Sequence, residues 1–524
     1  MTITTAKLSG KALRLTPLAL AALLMSAECR ADWKFTPTLG FTETYSDNPG
    51  LQSDAQAHGQ WISESVPAFT LISRSRRLRL AASGEWHFYA YQDKNTPNMH
   101  DRERRYAANA EARLIEDFLD LDASANGSRQ ATSAFGPRYT ELYSGFNSTD
   151  IRTWSISPVV RHRFGSAADL QLRFTRDGVQ ADGASAAFGD SLSSTALFNL
   201  SSAANGANRS AFGWGLQYMR QNMDTERFGQ STTVNAAVNL SYRLSRTWSL
   251  VANAGHDSYE YPALNDRTAG NTYTGGFVWT PSSRTSVDAR FGHSYLGKTG
   301  SLAATQSNRR LVSRVSYTDQ VTTSRQQFLM PASFDTASML DKLFASAISD
   351  PLARAQAVQT YMATTGLPSS LASSVNYLSN RFVREKRLQA AYIYSMPHSA
   401  LALSAYKSER TPIMREQSES DVLGSQLGML DDNVRQRGID AQFSYRLSPR
   451  TNTNAGLSAS RSTSMTTGAV SPSHVLRLGL THQFDRRTHG SVELRHVTSG
   501  YGIPGFGPGG YTENALSATL SVQL

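Results

Sequence analysis

The chain has 524 residues, a formal net charge of +10, 18% charged residues and a mean hydropathy of −0.38. One large barrel accounts for that length as readily as several soluble domains, and the basic excess is too dilute for a nucleic-acid-binding patch. The single cysteine, Cys29, excludes a disulfide framework.

The first 31 residues read as a secretory signal. Lys7, Lys11 and Arg14 form a positive region, 15–25 is apolar, and Cys29-Arg30-Ala31 places small residues for cleavage before Asp32. Glu28 sits where a lipid-modification site wants a small residue, which argues against a lipoprotein. Cleavage would remove Cys29 and lower the net charge to +7. A chain without cysteine suits passage through an oxidising periplasm. Beyond residue 31 no apolar run approaches the roughly 18 residues of a helical membrane span.

From residue 33 onward, segments of about ten residues alternate apolar and polar side chains, the signature of a transmembrane β-barrel. Trp154, Ile156, Pro158 and Val160 share one face, followed by Leu170, Leu172 and Phe174. Val234, Ala236, Val238, Leu240, Tyr242 and Leu244 do the same, then a Ser245-Arg246-Thr247 turn leads to Trp248, Leu250, Ala252 and Ala254. Ile439, Ala441, Phe443, Tyr445 and Leu447 turn at Ser448-Pro449-Arg450 and return through Ala455, Leu457 and Ala459. Leu476, Leu478 and Leu480 precede Val492 and Leu494, and the alternation in 516–524 runs to the last residue.

A soluble sandwich would alternate too, but its strands run to about five or six residues. Here the strands are longer, their polar faces are rich in Asn, Ser, Arg and Gln, and short turns alternate with long loops. The predicted fold is therefore all-β: an antiparallel transmembrane barrel of about 22 strands, in a range of roughly 18 to 22, in the outer membrane of a Gram-negative bacterium. Even parity demands one strand more than the plainest reading supplies, and 322–329 is assigned to it. Trp154, Trp248 and Trp279 are expected beside short turns, in an aromatic girdle.

From 334 to 379 the rhythm becomes helical. Asp335 caps a helix carrying Met339, Leu340, Leu343, Phe344 and Ile348 on one face; Asp350-Pro351 starts a second, and Gly366 and Pro368 stop it. Parity puts this insertion on the extracellular side. It folds into the lumen or over the mouth, or it packs outside as a loop.

No catalytic motif is present: no Gly-x-Ser-x-Gly elbow, no His-Glu-x-x-His and no phosphate loop, so no enzyme and no cofactor are expected. The glycine-rich 500–510 lacks the lysine and helix of a nucleotide loop and reads as the last extracellular loop. His474, His482, His489 and His496 do not gather on one strand face, and no metal site is expected.

With the apolar residues facing lipid, the candidate pore-lining residues are Arg79, Arg113, Arg161, Arg173, Arg243, Arg290, Arg446, Arg477 and Arg495, with Glu85, Glu111, Asp288, Asp440 and Glu493. They either pair across strands as a solvated wall or line a passage with a mild preference for anions.

Several stretches resemble an outer-membrane family found with exosortase (PEP-CTERM) systems in exopolysaccharide-producing proteobacteria. They are Glu43-Thr-Tyr-Ser-Asp-Asn48, Gly276-Phe-Val-Trp279 with Arg284, Arg290-Phe-Gly292, the helical stretch 343–354, and Asn380-Arg-Phe with Lys386-Arg-Leu-Gln-Ala. The terminal Leu524 departs from the Phe or Trp that barrel-assembly machinery usually meets, so weaker recognition is expected. The resemblance implies an exit conduit or assembly component for secreted exopolysaccharide. Its expected partners are outer-membrane lipids, the barrel-assembly machinery, a polysaccharide chain and periplasmic export components. The alternatives are a plugged, surface-anchored binding or structural barrel and a general solute porin.

Overall fold

Alternation at this length leaves each segment with one apolar and one polar face, and the chain satisfies both by closing a sheet on itself. The computed structural model describes residues 32–96, 99–136, 147–182, 189–203, 211–226, 229–261, 266–329, 339–341, 376–377, 382–413, 433–501 and 509–524. The expected signal segment and nearly all of the 334–379 insertion lie outside the described residues.

Twenty-two strands of 10 to 17 residues follow one another. They begin with β1 (Asp32–Ser46), β2 (Gln60–Arg74), β3 (Leu78–Tyr91), β4 (Arg102–Ile115), β5 (Leu119–Ala131), β6 (Ser148–Phe164) and β7 (Ala168–Ala181). Next come β8 (Ser191–Ser202), β9 (Phe212–Thr225), β10 (Gly229–Arg243), β11 (Trp248–Tyr261), β12 (Asp266–Ser282), β13 (Thr285–Ser294), β14 (Gly297–Ser307) and β15 (Leu311–Thr322). The last are β16 (Val383–Ser395), β17 (Ser399–Pro412), β18 (Val434–Ser448), β19 (Thr451–Ser464), β20 (Val470–Gln483), β21 (Thr488–Tyr501) and β22 (Gly509–Gln523). Each pairs antiparallel with the next, and β22 pairs with β1 to close the ring. Closure leaves no open sheet edge, which is what hydrocarbon demands of a spanning sheet.

Phe174, Tyr218, Leu240, Leu250, Phe291, Ile439, Leu478 and Leu520 are exposed on the outer face. Along β18 this band runs from Ile439 to Leu447, about 27 Å of strand at 3.4 Å per residue, enough for a tilted crossing. The protein is an outer-membrane β-barrel. Most of the tight turns, at 75–77, 165–167, 244–247, 396–398, 449–450 and 484–487 among others, share one end with residues 32 and 524. That end faces the periplasm and the longer connections face outward.

Two details of the expected map are corrected. Residues 322–329 supply no strand: β15 ends at Thr322, and Ser324–Leu329 is a helix. Parity is satisfied without it, with β13 and β14 joined through a tight turn at 295–296. Trp248 and Trp279 do pair in register at the short-turn end, their rings 5.7 Å apart. Trp154 instead lies mid-strand, opposite Ala125 and Gly178.

Two sequence details shape the ring. A Cβ added at Gly276 would run into the Ala289 carbonyl, and one at Gly292 into the Tyr273 carbonyl, so β12 and β13 approach as only glycine allows. Gly292→Val is expected to cut the yield of folded, heat-modifiable barrel several-fold in SDS gels, whereas Gly275→Ala, which meets nothing within 4 Å, should leave it unchanged. The closing seam between β1 and β22 is polar on its inner face. Thr42 and Thr519 hydroxyls lie 2.9 Å apart, as do those of Thr44 and Ser517, and Ser46 donates to Glu513 at 2.7 Å. Arg495 on β21 forks onto the same buried Glu513 carboxylate at 2.8 and 3.0 Å. Outside this ladder, Asp47 accepts the backbone and side-chain N–H of Asn514, both at 2.7 Å.

Candidate functional site

At the loop end of β15 the chain turns into the lumen. Thr323-Ser-Arg-Gln326 forms a capping box: the Gln326 amide donates to Thr323 Oγ1 at 3.1 Å, and the Thr323 amide donates to Gln326 Oε1 at 3.3 Å. This reciprocal pair fixes the start of the helix Ser324–Leu329 and aims its side chains at two walls. Thr323→Val removes one half of the box and is expected to cost about 1 kcal/mol locally, seen as faster amide exchange of 324–329 with the strands unchanged.

One wall is formed by β6 to β9. Arg325 is buried; it donates to Ser191 Oγ at 2.8 Å and to the Asp177 carbonyl at 3.1 Å, and it pairs with the Asp177 carboxylate. Burial lowers the Arg325 pKa from its ordinary value, opposed by the Asp177 carboxylate. Gln326 donates to Gln221 on β9 at 3.3 Å. Phe328 and Leu329 pack on Ile151 and Val179, apolar residues on the inner face of β6 and β7.

The other wall is β16 and β17, centred on buried Glu385. Its carboxylate accepts from Gln327 (2.7 Å), Arg387 (2.7 Å), Ser408 (3.1 Å) and Arg410 (3.1 Å). Arg410 also donates to Gln327 and, at 3.1 Å, to Asn376, and its guanidinium lies 4.6 Å from the centre of the Tyr377 ring. Tyr377 accepts from Ser324 at 2.7 Å through its carbonyl, and its backbone bridges to Ala131 at the end of β5. Its ring packs with Ala134, Phe135 and Val434. A single segment reaches β5 to β9 and also β16 to β18, on opposite sides of a 22-strand ring, only by crossing the interior. Within the insertion, Met339, Leu340 and Asp341 are helical, with Met339 and Leu340 buried. The caps and stops read at Asp335, Asp350, Pro351, Gly366 and Pro368 lie outside the described residues.

The sequence-assigned charges are distributed round the wall and do not converge on this site. Arg79 meets Glu111 at 3.4 Å, Arg173 meets Asp122 at 2.8 Å, and Arg161 pairs with Asp120. Arg290 forks onto Asp288 at 2.9 and 2.8 Å, and Arg495 belongs to the seam. Arg446 donates to the Pro397 carbonyl at 2.8 Å, and Glu85 lies 3.5 Å from His87. Arg113 and Arg243 are exposed near the short turns, and Arg477 stands in register opposite Arg495 with its Nε unpartnered. Asp440 and Glu493 alternate with the apolar residues of β18 and β21.

Sequence reasoning passed over the acids that answer these arginines. Glu64, Glu103, Asp120, Asp122, Asp177, Glu385 and Glu513 all sit on the inner face, so the expected excess of positive charge there shrinks. It also passed over a second inner cluster, where His87, Tyr89 and Tyr91 stack at 6.2 Å intervals beside Glu64, with His87 Nδ1 2.5 Å from the Glu64 carboxylate. Among the described residues no group of three or more His, Cys, Asp and Glu is placed to hold a metal.

No protein-family model matches the chain. No curated protein matches it either. Several solved structures are similar. The siderophore receptor PirA from Acinetobacter baumannii aligns with a TM-score of 0.45 at 7% identity, covering 94% of this chain and 80% of that one. A mutant ferric enterobactin receptor, PfeA, from Pseudomonas aeruginosa gives 0.44 at 10% identity, over 93% and 80%. The FrpB iron transporter from Neisseria meningitidis gives 0.38 at 9%, over 93% and 82%. The expected exopolysaccharide exit conduit, with its polysaccharide and export partners, is corrected: the helix Ser324–Leu329 is held between two inner walls, in the lumen that an exit conduit would need open.

Proposed function

We propose that this protein is an occluded outer-membrane barrel, non-enzymatic, that takes up a solute through its lumen when the internal segment moves aside. The observation that carries the reading is the double anchorage of that segment, by Arg325 on Asp177 and Ser191 and by Gln327 on Glu385 and Arg410. These anchors are polar and charge-assisted. Such contacts hold a closed state firmly yet exchange readily for contacts to a polar ligand or water. The inner wall, with arginines, carboxylates and the His87–Tyr89–Tyr91 stack, offers donors, acceptors and aromatic faces to a polar solute. In this reading the helix Ser324–Leu329, with Asn376 and Tyr377, is the occluding element and the inward arginines and carboxylates line the passage. Membership of the exosortase-associated barrels is a further proposal, resting on the turn and hairpin motifs.

Planar-bilayer recording tests the occluded reading. Wild-type protein is expected to conduct little, and replacing 324–381 by a short Gly-Ser linker should give large, stable openings. Thr322 and Val383 are paired neighbours, so the linker has little distance to span. A large wild-type conductance, or a deletion variant as silent as wild type, would refute the proposal.

A further inference from the structure

Charge on this barrel is not confined to its inner face. On β16 to β20, near the loop end, two consecutive rungs of the sheet project outward, because they share the side of exposed Leu388, Leu403, Leu457 and Leu476. The upper rung aligns Lys407, Arg437 and Arg461 as direct cross-strand partners. Like charges set directly opposite one another are destabilising in a sheet, so three in a row is an arrangement that asks for a counter-charge. All three are exposed. Lys407 shares Glu409 with Arg435, at 3.3 and 2.8 Å, whereas Arg437 and Arg461 have no ion-pair partner among the described residues. Elsewhere on the outer face an arginine such as Arg152 has its own acid, Asp182.

The lower rung is mostly alanine, interrupted by Ile439. Ala390, Ala405, Ile439 and Ala459 are successive partners, ending at exposed His474. The alanines leave a depression of about 430 Å³ on the outer wall, walled by Leu388 and Ile439 and rimmed by the three cations. The exposed band of Ile439, Phe443, Tyr445 and Leu447 begins immediately below. The cations therefore stand at the membrane–water boundary of the outer leaflet, and the alanine groove dips into the hydrocarbon.

We propose that this groove binds a phosphorylated, acylated glycolipid of the outer leaflet, of the lipopolysaccharide class. Its phosphates bridge Lys407, Arg437 and Arg461, and an acyl chain lies over Ala390 and Ala405, against Leu388 and Ile439. Guanidinium groups match phosphate oxygens bidentately, and the side chains that carry them keep their stems on apolar surface. A basic cluster at a headgroup boundary is the arrangement by which membrane proteins hold anionic lipids.

The test uses the full barrel purified in mild detergent, with bound glycolipid quantified by its phosphate and hydroxylated fatty acids. Wild type is expected to retain it, and the Lys407→Gln, Arg437→Gln, Arg461→Gln triple variant to retain about tenfold less or lower. The charge-keeping Arg437→Lys, Arg461→Lys variant should hold most of it, and Arg152→Gln should lose none. Heat-modifiable migration certifies that each variant is folded. If the triple variant does not fold, competition on the wild-type barrel decides: intact lipid A should displace bound glycolipid, and dephosphorylated lipid A should not. Equal retention by the folded triple variant, or equal displacement by the dephosphorylated lipid or by phosphatidylethanolamine, would overturn the proposal.

Discussion

Arg325→Ala is expected to turn a quiet barrel into a leaky one. The substitution deletes the guanidinium that joins the internal helix to Asp177 and Ser191 and leaves the Asp177 carboxylate buried without its cation. Breaking a buried ion pair from one side typically costs about 3–5 kcal/mol. Even the lower figure moves a closed-to-open ratio by roughly a hundredfold. Single-channel recordings should show long openings absent from wild type, and cells should become sensitive to bulky antibiotics that the outer membrane normally excludes. Arg325→Lys should rescue poorly, since one ammonium cannot reproduce a fork onto a carboxylate, a carbonyl and a hydroxyl. Adding Asp177→Ala to Arg325→Ala should open the barrel by less than the sum of the two single effects, because they act through one pair. A folded Arg325→Ala barrel as quiet as wild type would show that the Glu385 side alone holds the segment.

The second large effect belongs to the seam. Glu513 is fully buried, accepts from Ser46, and receives the Arg495 fork. Glu513→Ala removes the carboxylate that Arg495 grips where it faces Arg477 across the β20–β21 rung. The expected loss is again about 3–5 kcal/mol, concentrated where the first and last strands meet. It should appear as a fall in the temperature at which the folded band converts to the unfolded one. Glu513→Gln keeps the Ser46 contact and restores part of the loss, whereas Asp47→Ala, on the exposed side of the same seam, should cost about 1 kcal/mol or less.

The barrel could be read from the sequence because its physics is local. Alternation at positions such as 234–244 or 439–447 reports directly which face meets lipid, and turns such as Ser245-Arg-Thr247 and Ser448-Pro-Arg450 mark one end. The internal segment could not, because it is held by pairs far apart in the chain: Arg325 with Asp177, Tyr377 with Ala131, Gln327 with Glu385. In 322–329 the alternation template competed with a capping box, and the Thr323-x-x-Gln326 spacing was the signal that favoured a helix. The alternation was read for inward charges only, and the outward ones were passed over. Near the loop end the outer face leaves hydrocarbon, and Lys407, Arg437 and Arg461 follow the same period-2 rule while facing out.

The internal segment leaves the wall at Thr322 and rejoins it at Val383, and these two residues are rung partners on adjacent strands. In the proposed reading this makes one hinge for the parts that touch the inner walls, Ser324–Leu329 and Asn376–Tyr377. Moving them would break the Ala131–Tyr377 bridge and their side-chain contacts, and would leave the β15–β16 ladder made up to the hinge.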